Sequence, residues 1–101
     1  MSMSNEDVAR QADRLHHKCR DYLDDTQSDL GSFLDRETVE LREDAQRGRP
    51  PRTLEDRIKR IMQELRKASD QESPSMDARD AETLFDEYED LRREVREMEN
   101  Y

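Results

Sequence analysis

The stretch with the most reactive side chains is RLHHKCRDYLDD, residues 14–25. Imidazole, thiol and carboxylate groups in one place can bind zinc, and a histidine can carry protons near neutral pH. On a helix, His17 would lie one turn from Asp13 and from Asp21, with His16 beside it. A zinc site needs about four converging ligands, and the chain has no second His or Cys cluster to supply them. We therefore expect two surface histidines with acidic neighbours and no metal site.

The two histidines also fail as a phosphotransfer site. Histidine-phosphotransfer modules carry an exposed His that is followed, three residues later, by Lys and then Gly. Here Cys19 follows His16 at that spacing, Arg20 follows His17, and neither precedes a glycine. The sequence also contains no Gly-rich phosphate loop, nucleophile elbow or calcium-loop pattern. We expect no catalytic residue, no cofactor and no enzyme activity.

The composition leaves little apolar material for a core. Of 101 residues, 31% are hydrophobic and 45% are charged, and the net charge is −9. Globular domains are typically about 45–50% apolar and about 25% charged, and a highly charged, apolar-poor chain is typical of disorder. Only a regular apolar pattern can therefore indicate a fold.

Cysteine content and apolar runs bear on the compartment. Cys19 is the only cysteine, which excludes an intrachain disulfide. It lies at a core-seam position, where a cysteine is usually a small buried residue. No run of apolar residues is long enough for a signal peptide or a membrane span. These features predict a cytoplasmic protein.

Apolar residues recur at helical spacing between the prolines and glycines that break the chain. One seam precedes the break at Gly48, Pro50 and Pro51, and two follow it, separated by Pro74. Period-two alternation, which a strand would need, is absent. The best-defined seams are Val8, Ala12, Leu15, Cys19 and Tyr22; Leu54, Ile58, Ile61, Leu65 and Ala68; and Ala81, Leu84, Tyr88, Leu91, Val95 and Met98.

The first helical segment, residues 5–46, is not uniform. Its apolar spacing lapses at residues 26–29 and resumes one residue out of step, with Gly31 at the slip. Either one long helix carries a local skip there, or the segment breaks near Gly31 and Ser32 caps a new helix. We favour the continuous helix.

These patterns predict a single all-α domain over residues 1–101, folded as an antiparallel helical bundle or coiled-coil hairpin with three main helices. Its predicted parts are a helix over 5–46, a turn over 47–52, a helix over 53–69, a loop over 70–76 and a helix over 77–99. Candidate N-caps are Ser4 with Asp7, Thr53 with Asp56, and Ser75 or Asp77. Burying roughly twenty apolar side chains would barely offset the entropy of ordering the chain. We therefore expect self-association, most simply a two-fold homodimer.

A basic island interrupts the acidic chain. Residues 47–67 carry eight Lys or Arg and three Asp or Glu, a net charge of +5, whereas residues 1–46 sum to −6 and residues 68–101 to −8. Helical spacing places five of its basic residues on a flank away from the apolar seam, and we call them the basic stripe: Arg52, Lys59, Arg60, Arg66 and Lys67.

The third helix supplies an acidic flank that could hold this stripe. Asp80, Glu87 and Glu94 recur every seven residues beside the apolar seam. An acidic helix antiparallel to a basic one would favour pairing between the two. We predict that the basic stripe is mainly paired within the fold or between subunits, with this flank as its candidate partner, so that the basic island orders the bundle and is only secondarily a docking site.

Two functions from different classes fit these observations. The first is a non-catalytic, acidic interaction module (an adaptor, inhibitor, antitoxin or chaperone) that binds another protein with a basic surface. Its candidate contacts are Phe85, Glu87, Tyr88, Glu94 and Tyr101. The alternative is a nucleic-acid-associated protein that uses the basic stripe of residues 47–67.

Overall fold

A computed structural model of the chain describes residues 3–71 and 73–98. Within this part, four α-helices follow one another: α1 (Asn5–Tyr22), α2 (Asp29–Gln46), α3 (Pro51–Asp70) and α4 (Ala78–Glu97). The predicted all-α bundle is confirmed, but it has four helices where the sequence predicted three main ones.

The additional helix arises because the predicted continuous helix over 5–46 is wrong. The backbone leaves α1 at Leu23, which is extended, and Ser28 caps α2 by accepting a hydrogen bond from the Gly31 N–H. Residues 24–28 are DDTQS, and their side chains hydrogen-bond to local backbone groups more readily than they continue a helix. The break thus precedes Gly31, and the cap is not Ser32.

Gly31 is needed here for a close approach of the backbone. A Cβ atom on Gly31 would lie 2.6 Å from the carbonyl oxygen of Thr26. The loop between α1 and α2 can therefore fold back onto the first turn of α2 only because residue 31 has no side chain.

The other helix ends follow sequence signals, with one exception. Ser4 and Asp7 form the predicted capping box, and Asp77 caps α4 by accepting from the Arg79 N–H. The exception is α3, which begins at Pro51 and not near Thr53. Proline is favoured in the first turn because its missing N–H would be unpaired there in any case, so the predicted Thr53–Asp56 cap is not used.

The turn between α2 and α3 is tight. Gly48 has a positive φ of 75°. The Gly48 N–H donates to the Ala45 carbonyl and the Arg49 N–H to the Asp44 carbonyl, which together form a Schellman ending of α2. Because this turn is short, α3 returns antiparallel along α2.

The helices pack in up-down-up-down order as two hairpins, α1–α2 and α3–α4. At one end of the bundle, the Asp24 N–H donates to the Ser75 carbonyl at 2.8 Å and so joins the two hairpin loops. At the other end, the Asn5 side chain donates to the carbonyls of Ala45 and Arg49. The radius of gyration, 13.1 Å, is close to the value of about 13 Å for a compact chain of about 100 residues. The apolar pattern therefore outweighs the disorder that the composition suggested.

All four helices contribute to one core. The fully buried larger side chains are Val8, Leu15, Leu34, Leu41, Leu54, Ile58, Ile61, Leu65, Met76, Leu84, Tyr88 and Val95. In the described part of the chain, no helix is both long enough and apolar enough to cross a membrane.

Candidate functional site

The centre of the core holds a small group of neutral polar side chains. The Tyr88 hydroxyl lies 3.0 Å from the Thr38 hydroxyl and 3.8 Å from the Cys19 sulfur, and all three side chains are buried. Burial raises the pKa of Tyr88 well above its usual value and raises the pKa of Cys19 to about 11. Cys19 is therefore a protonated, buried thiol, as its seam position predicted, and not a nucleophile.

Tyr88 is consequently not a surface residue. The sequence placed it in step with the apolar seam of α4 and also proposed it as a partner contact. The second proposal is wrong, because none of the Tyr88 side chain is exposed to solvent. A partner could reach it only by opening the bundle.

The two histidines have separate carboxylate neighbours. His16 is largely buried against Asp35 of α2, and His17 is exposed, with its Nε2 3.8 Å from Asp13. Among the described residues, no group of three or more His, Cys, Asp or Glu side chains converges as a metal site would require.

The basic stripe lies on the outer surface of α3. All five of its side chains are exposed, and the side chains of Arg66 and Lys67 are 71% and 64% accessible. Three of the five lie near a carboxylate: Arg60 near Glu37 at 3.7 Å, Lys67 near Glu64 at 3.3 Å and Arg66 near Asp70 at 4.0 Å. Such exposed pairs contribute little to stability, so the stripe is essentially a solvated cationic surface.

The predicted pairing of this stripe with the acidic flank of α4 is wrong. Glu87, the middle residue of that flank, pairs with α1: its carboxylate lies 2.9 Å from the Lys18 Nζ and 3.3 Å from the Arg14 Nη1. The reason is geometric. An amphipathic helix has two flanks beside its apolar seam, and the flank of Asp80, Glu87 and Glu94 faces α1, whereas the opposite flank faces α3.

The contacts of Glu87 determine its ionisation. Partial burial favours its neutral form, but the adjacent Lys18 ammonium and Arg14 guanidinium outweigh this effect and lower the pKa of Glu87. The same contact raises the pKa of Lys18. Glu87 is thus a charged link between the two hairpins, and most of its carboxylate is unavailable to a partner.

On the other side of the bundle, Arg57 links the hairpins. Its guanidinium contacts three carboxylates of α2: Glu40 at 2.6 Å, Asp44 at 3.0 Å and Glu37 at 3.3 Å. The side chains of Arg57 and Glu37 are only 16% and 7% accessible. Sequence analysis missed this group, although Arg57 adjoins the seam residue Ile58 and its three acidic partners follow one another at helical spacing.

A second buried charge joins α3 to α4. Glu55 is 7% exposed and its Oε2 lies 3.0 Å from the Arg96 Nε and 3.5 Å from the Arg92 Nη1. The α3–α4 contact therefore uses an acid from the basic helix and bases from the acidic one, the reverse of the predicted arrangement.

The outer surface of the N-terminal half of α4 is acidic. Residues 80–91 contain six Asp or Glu and no Lys or Arg. Three of these acids are exposed: Glu82, Asp86 and Asp90. No basic side chain of the described residues lies within ion-pair distance of them. We call these three residues, together with the half-buried Phe85, the acidic α4 surface.

Phe85 is the apolar element of this surface. It forms one wall of a groove of about 330 Å³ between α3 and α4, and the Arg66 guanidinium lies over its ring, 5.6 Å from the centroid. The structure thus brings together two residues that the sequence assigned to different functions, Arg66 and Phe85. Glu94 is exposed on the α1 side of α4, and Tyr101 lies outside the described residues.

Comparison of the chain with protein-family models, curated proteins and solved structures gave no significant match.

Proposed function

We propose that this chain is a non-catalytic protein-interaction module that binds a basic partner protein through the acidic α4 surface. The observation that carries the proposal is the set of carboxylates of Glu82, Asp86 and Asp90, which are exposed and form no ion pair with a described residue. The acids next to the core, such as Glu37, Glu55 and Glu87, are held by arginines or lysines. Other exposed acids also lack an ion pair, but Glu82 and Asp86 adjoin the aromatic ring of Phe85.

Physical considerations favour this surface for binding. Unpaired carboxylates steer a basic partner by long-range attraction, and Phe85 adds the aromatic contact that interfaces commonly use. The net charge of −9 acts in the same direction over the whole molecule. A cytoplasmic location and a two-fold homodimer remain predictions. The four-helix core, however, already buries within one chain the apolar seams that suggested a dimer.

The proposal is tested by removing the carboxylates without changing the side-chain shape. Glu82→Gln, Asp86→Asn and Asp90→Asn together form the α4 variant. The matched control removes three exposed acids elsewhere, with Glu6→Gln, Asp21→Asn and Asp56→Asn. Each protein is immobilised and used to capture partners from a lysate at low salt. Basic proteins retained by the wild type and the control should be lost from the α4 variant; equal retention by the two variants would contradict the proposal.

A second candidate function is supported by the basic stripe. Because all five of its side chains face solvent, they are available to an anionic partner such as nucleic acid. The exposed Asp56 and Asp70 lie on the same outer face, however, and weaken its positive potential. This function predicts that a generic DNA duplex binds at low salt and dissociates as salt rises. Replacement of Lys59, Arg60, Arg66 and Lys67 by Glu should abolish that binding, and no mobility shift at low salt would exclude it.

A further inference from the structure

The groove beside Phe85 combines one aromatic ring with three carboxylates. It lies where the C-terminal half of α3 runs beside the N-terminal half of α4. Its lining residues are Arg66, Ser69, Asp70, Glu82, Phe85 and Asp86.

One guanidinium already occupies the aromatic wall of the groove. The Arg66 guanidinium carbon lies 5.6 Å from the Phe85 ring centroid, within the range of about 6 Å at which a cation is attracted to an aromatic face. Little else holds Arg66, because its Nε is 4.0 Å from Asp70 and both side chains are about 70% accessible. Arg66 can therefore leave the ring at low cost.

The groove also has more acceptors than Arg66 uses. Of its three carboxylates, only Asp70 lies within ion-pair distance of Arg66, whereas Glu82 and Asp86 are exposed and form no ion pair with a described residue. A planar guanidinium can stack on a ring and also donate two parallel hydrogen bonds to a carboxylate. A lysine ammonium is not planar, so it cannot stack on the ring and donate two parallel hydrogen bonds at the same time.

We propose that this groove is a docking site for an arginine side chain on a basic segment of a partner protein, which displaces Arg66 from Phe85. The incoming guanidinium stacks on the Phe85 ring and pairs with Glu82 and Asp86. The inference rests on the proposed function, since it specifies how the acidic α4 surface recognises its partner. Arg66 is then an internal competitor that occupies the site until the partner binds.

Two end-blocked peptides of equal length, one with four arginines and one with four lysines on the same Gly-Ala spacing, serve as probes. Their affinities for the full chain are measured by titration calorimetry at low salt. The wild type should bind the arginine peptide about 2–5 times more tightly than the lysine peptide, as expected for a cation over an exposed ring. Phe85→Leu should abolish this preference.

Phe33→Leu is the matched control, because Phe33 lies on the other hairpin and has its own arginine, Arg36, 5.8 Å from its ring. That variant should keep the preference for arginine. Circular dichroism melts of both variants establish that each is folded under the conditions of the titration.

The internal competitor provides an independent test. Arg66→Gln should raise the affinity for the arginine peptide about 2–5-fold. Arg52→Gln removes the same charge from an exposed site on the same helix and should raise the affinity less. Equal gains in these two variants would overturn the role of Arg66.

The outcomes separate this inference from the proposed function. If the two peptides bind equally, or if Phe85→Leu keeps the preference for arginine, the arginine site is overturned. The proposed function still stands in that case if the α4 variant no longer binds either peptide. If the α4 variant binds both peptides as the wild type does, the proposed function is overturned as well.

Discussion

The two sides of α3 differ sharply in what their basic residues do. Arg57, on the side facing α2, is largely buried and contacts three carboxylates. Lys59, only two residues further along, is exposed, and no carboxylate of the described residues lies within ion-pair distance of it. In a chain that is 45% charged, the charges that hold the fold together are therefore the few next to the apolar seam. Most of the remaining charged side chains face solvent.

The largest effect should follow removal of Arg57. Arg57→Met keeps much of the apolar stem but leaves Glu37 buried beside Glu40 and Asp44 without its main cation. Breaking a buried ion pair costs about 3–5 kcal/mol. We expect about 3 kcal/mol, the lower end of that range, since Arg36 and Arg60 remain 3.6 and 3.7 Å from Glu37. The control variant Lys59→Met should change stability by less than about 0.5 kcal/mol. Urea unfolding of the two variants measures the difference. Equal losses in the two variants would refute the distinction between the two sides of α3.

The neutral polar group in the core should be the next most sensitive. Tyr88→Phe leaves the buried Thr38 hydroxyl without its partner, at a cost of about 1–3 kcal/mol. Adding Thr38→Val removes the unpaired hydroxyl, and the double variant should recover most of this loss because apolar replacement of both partners is nearly neutral. A double-mutant cycle from urea unfolding measures the coupling; additive losses would show that the two hydroxyls do not interact.

Glu87, at the junction of α4 with α1, should have an intermediate and pH-dependent effect. Its pKa is lower in the folded chain than the ordinary value of 4.5, so its contribution is present above about pH 4.5 and is lost as the pH falls through the folded pKa. Glu87→Gln should lower stability by about 1 kcal/mol at pH 7, as expected for partly exposed ion pairs. The difference from the wild type should shrink below pH 4. Thermal melts at pH 7, 5 and 3.5 follow this change, and a constant difference across the series would exclude the ion pairs as its cause.

Most of the fold could be predicted from the sequence, but the partners of its charged residues could not. Apolar spacing was sufficient for the all-α bundle, for most of the core and for the buried position of Cys19. The break before α2 was recognised as an alternative but not favoured, because residues 24–28 are no more polar than the helix surfaces of so charged a chain. The local signal there is a succession of Asp, Thr and Ser residues. Their side chains can hydrogen-bond to the nearby backbone and so disfavour a helix.

The partners of the charged residues could not be predicted, for a different reason. Heptad spacing places Glu87 beside the seam of α4, but which neighbouring helix it faces depends on the order and handedness in which the four helices pack. Tyr88 presents the same difficulty. Its position in the seam predicted burial, but the hydroxyl that makes its burial tolerable belongs to Thr38, fifty residues away on another helix. Local spacing contains no information about either contact.

The smallest loss of stability is expected from neutralising the basic stripe. Its size decides most directly between a stripe that faces solvent and the pairing with α4 that the sequence suggested. If the stripe were held by the acidic flank of α4, neutralising Lys59, Arg66 and Lys67 to Gln would remove several favourable pairs and weaken the bundle markedly. Because these side chains face solvent and the flank faces α1, we expect a total loss below about 1 kcal/mol, from exposed pairs and the higher net negative charge. Added salt should screen the extra repulsion and remove most of even this loss. Melts of the variant and the wild type at low and high salt measure both quantities. A loss comparable to that of Arg57→Met at low salt would mean that the stripe is part of the structural charge network and is not available to a partner.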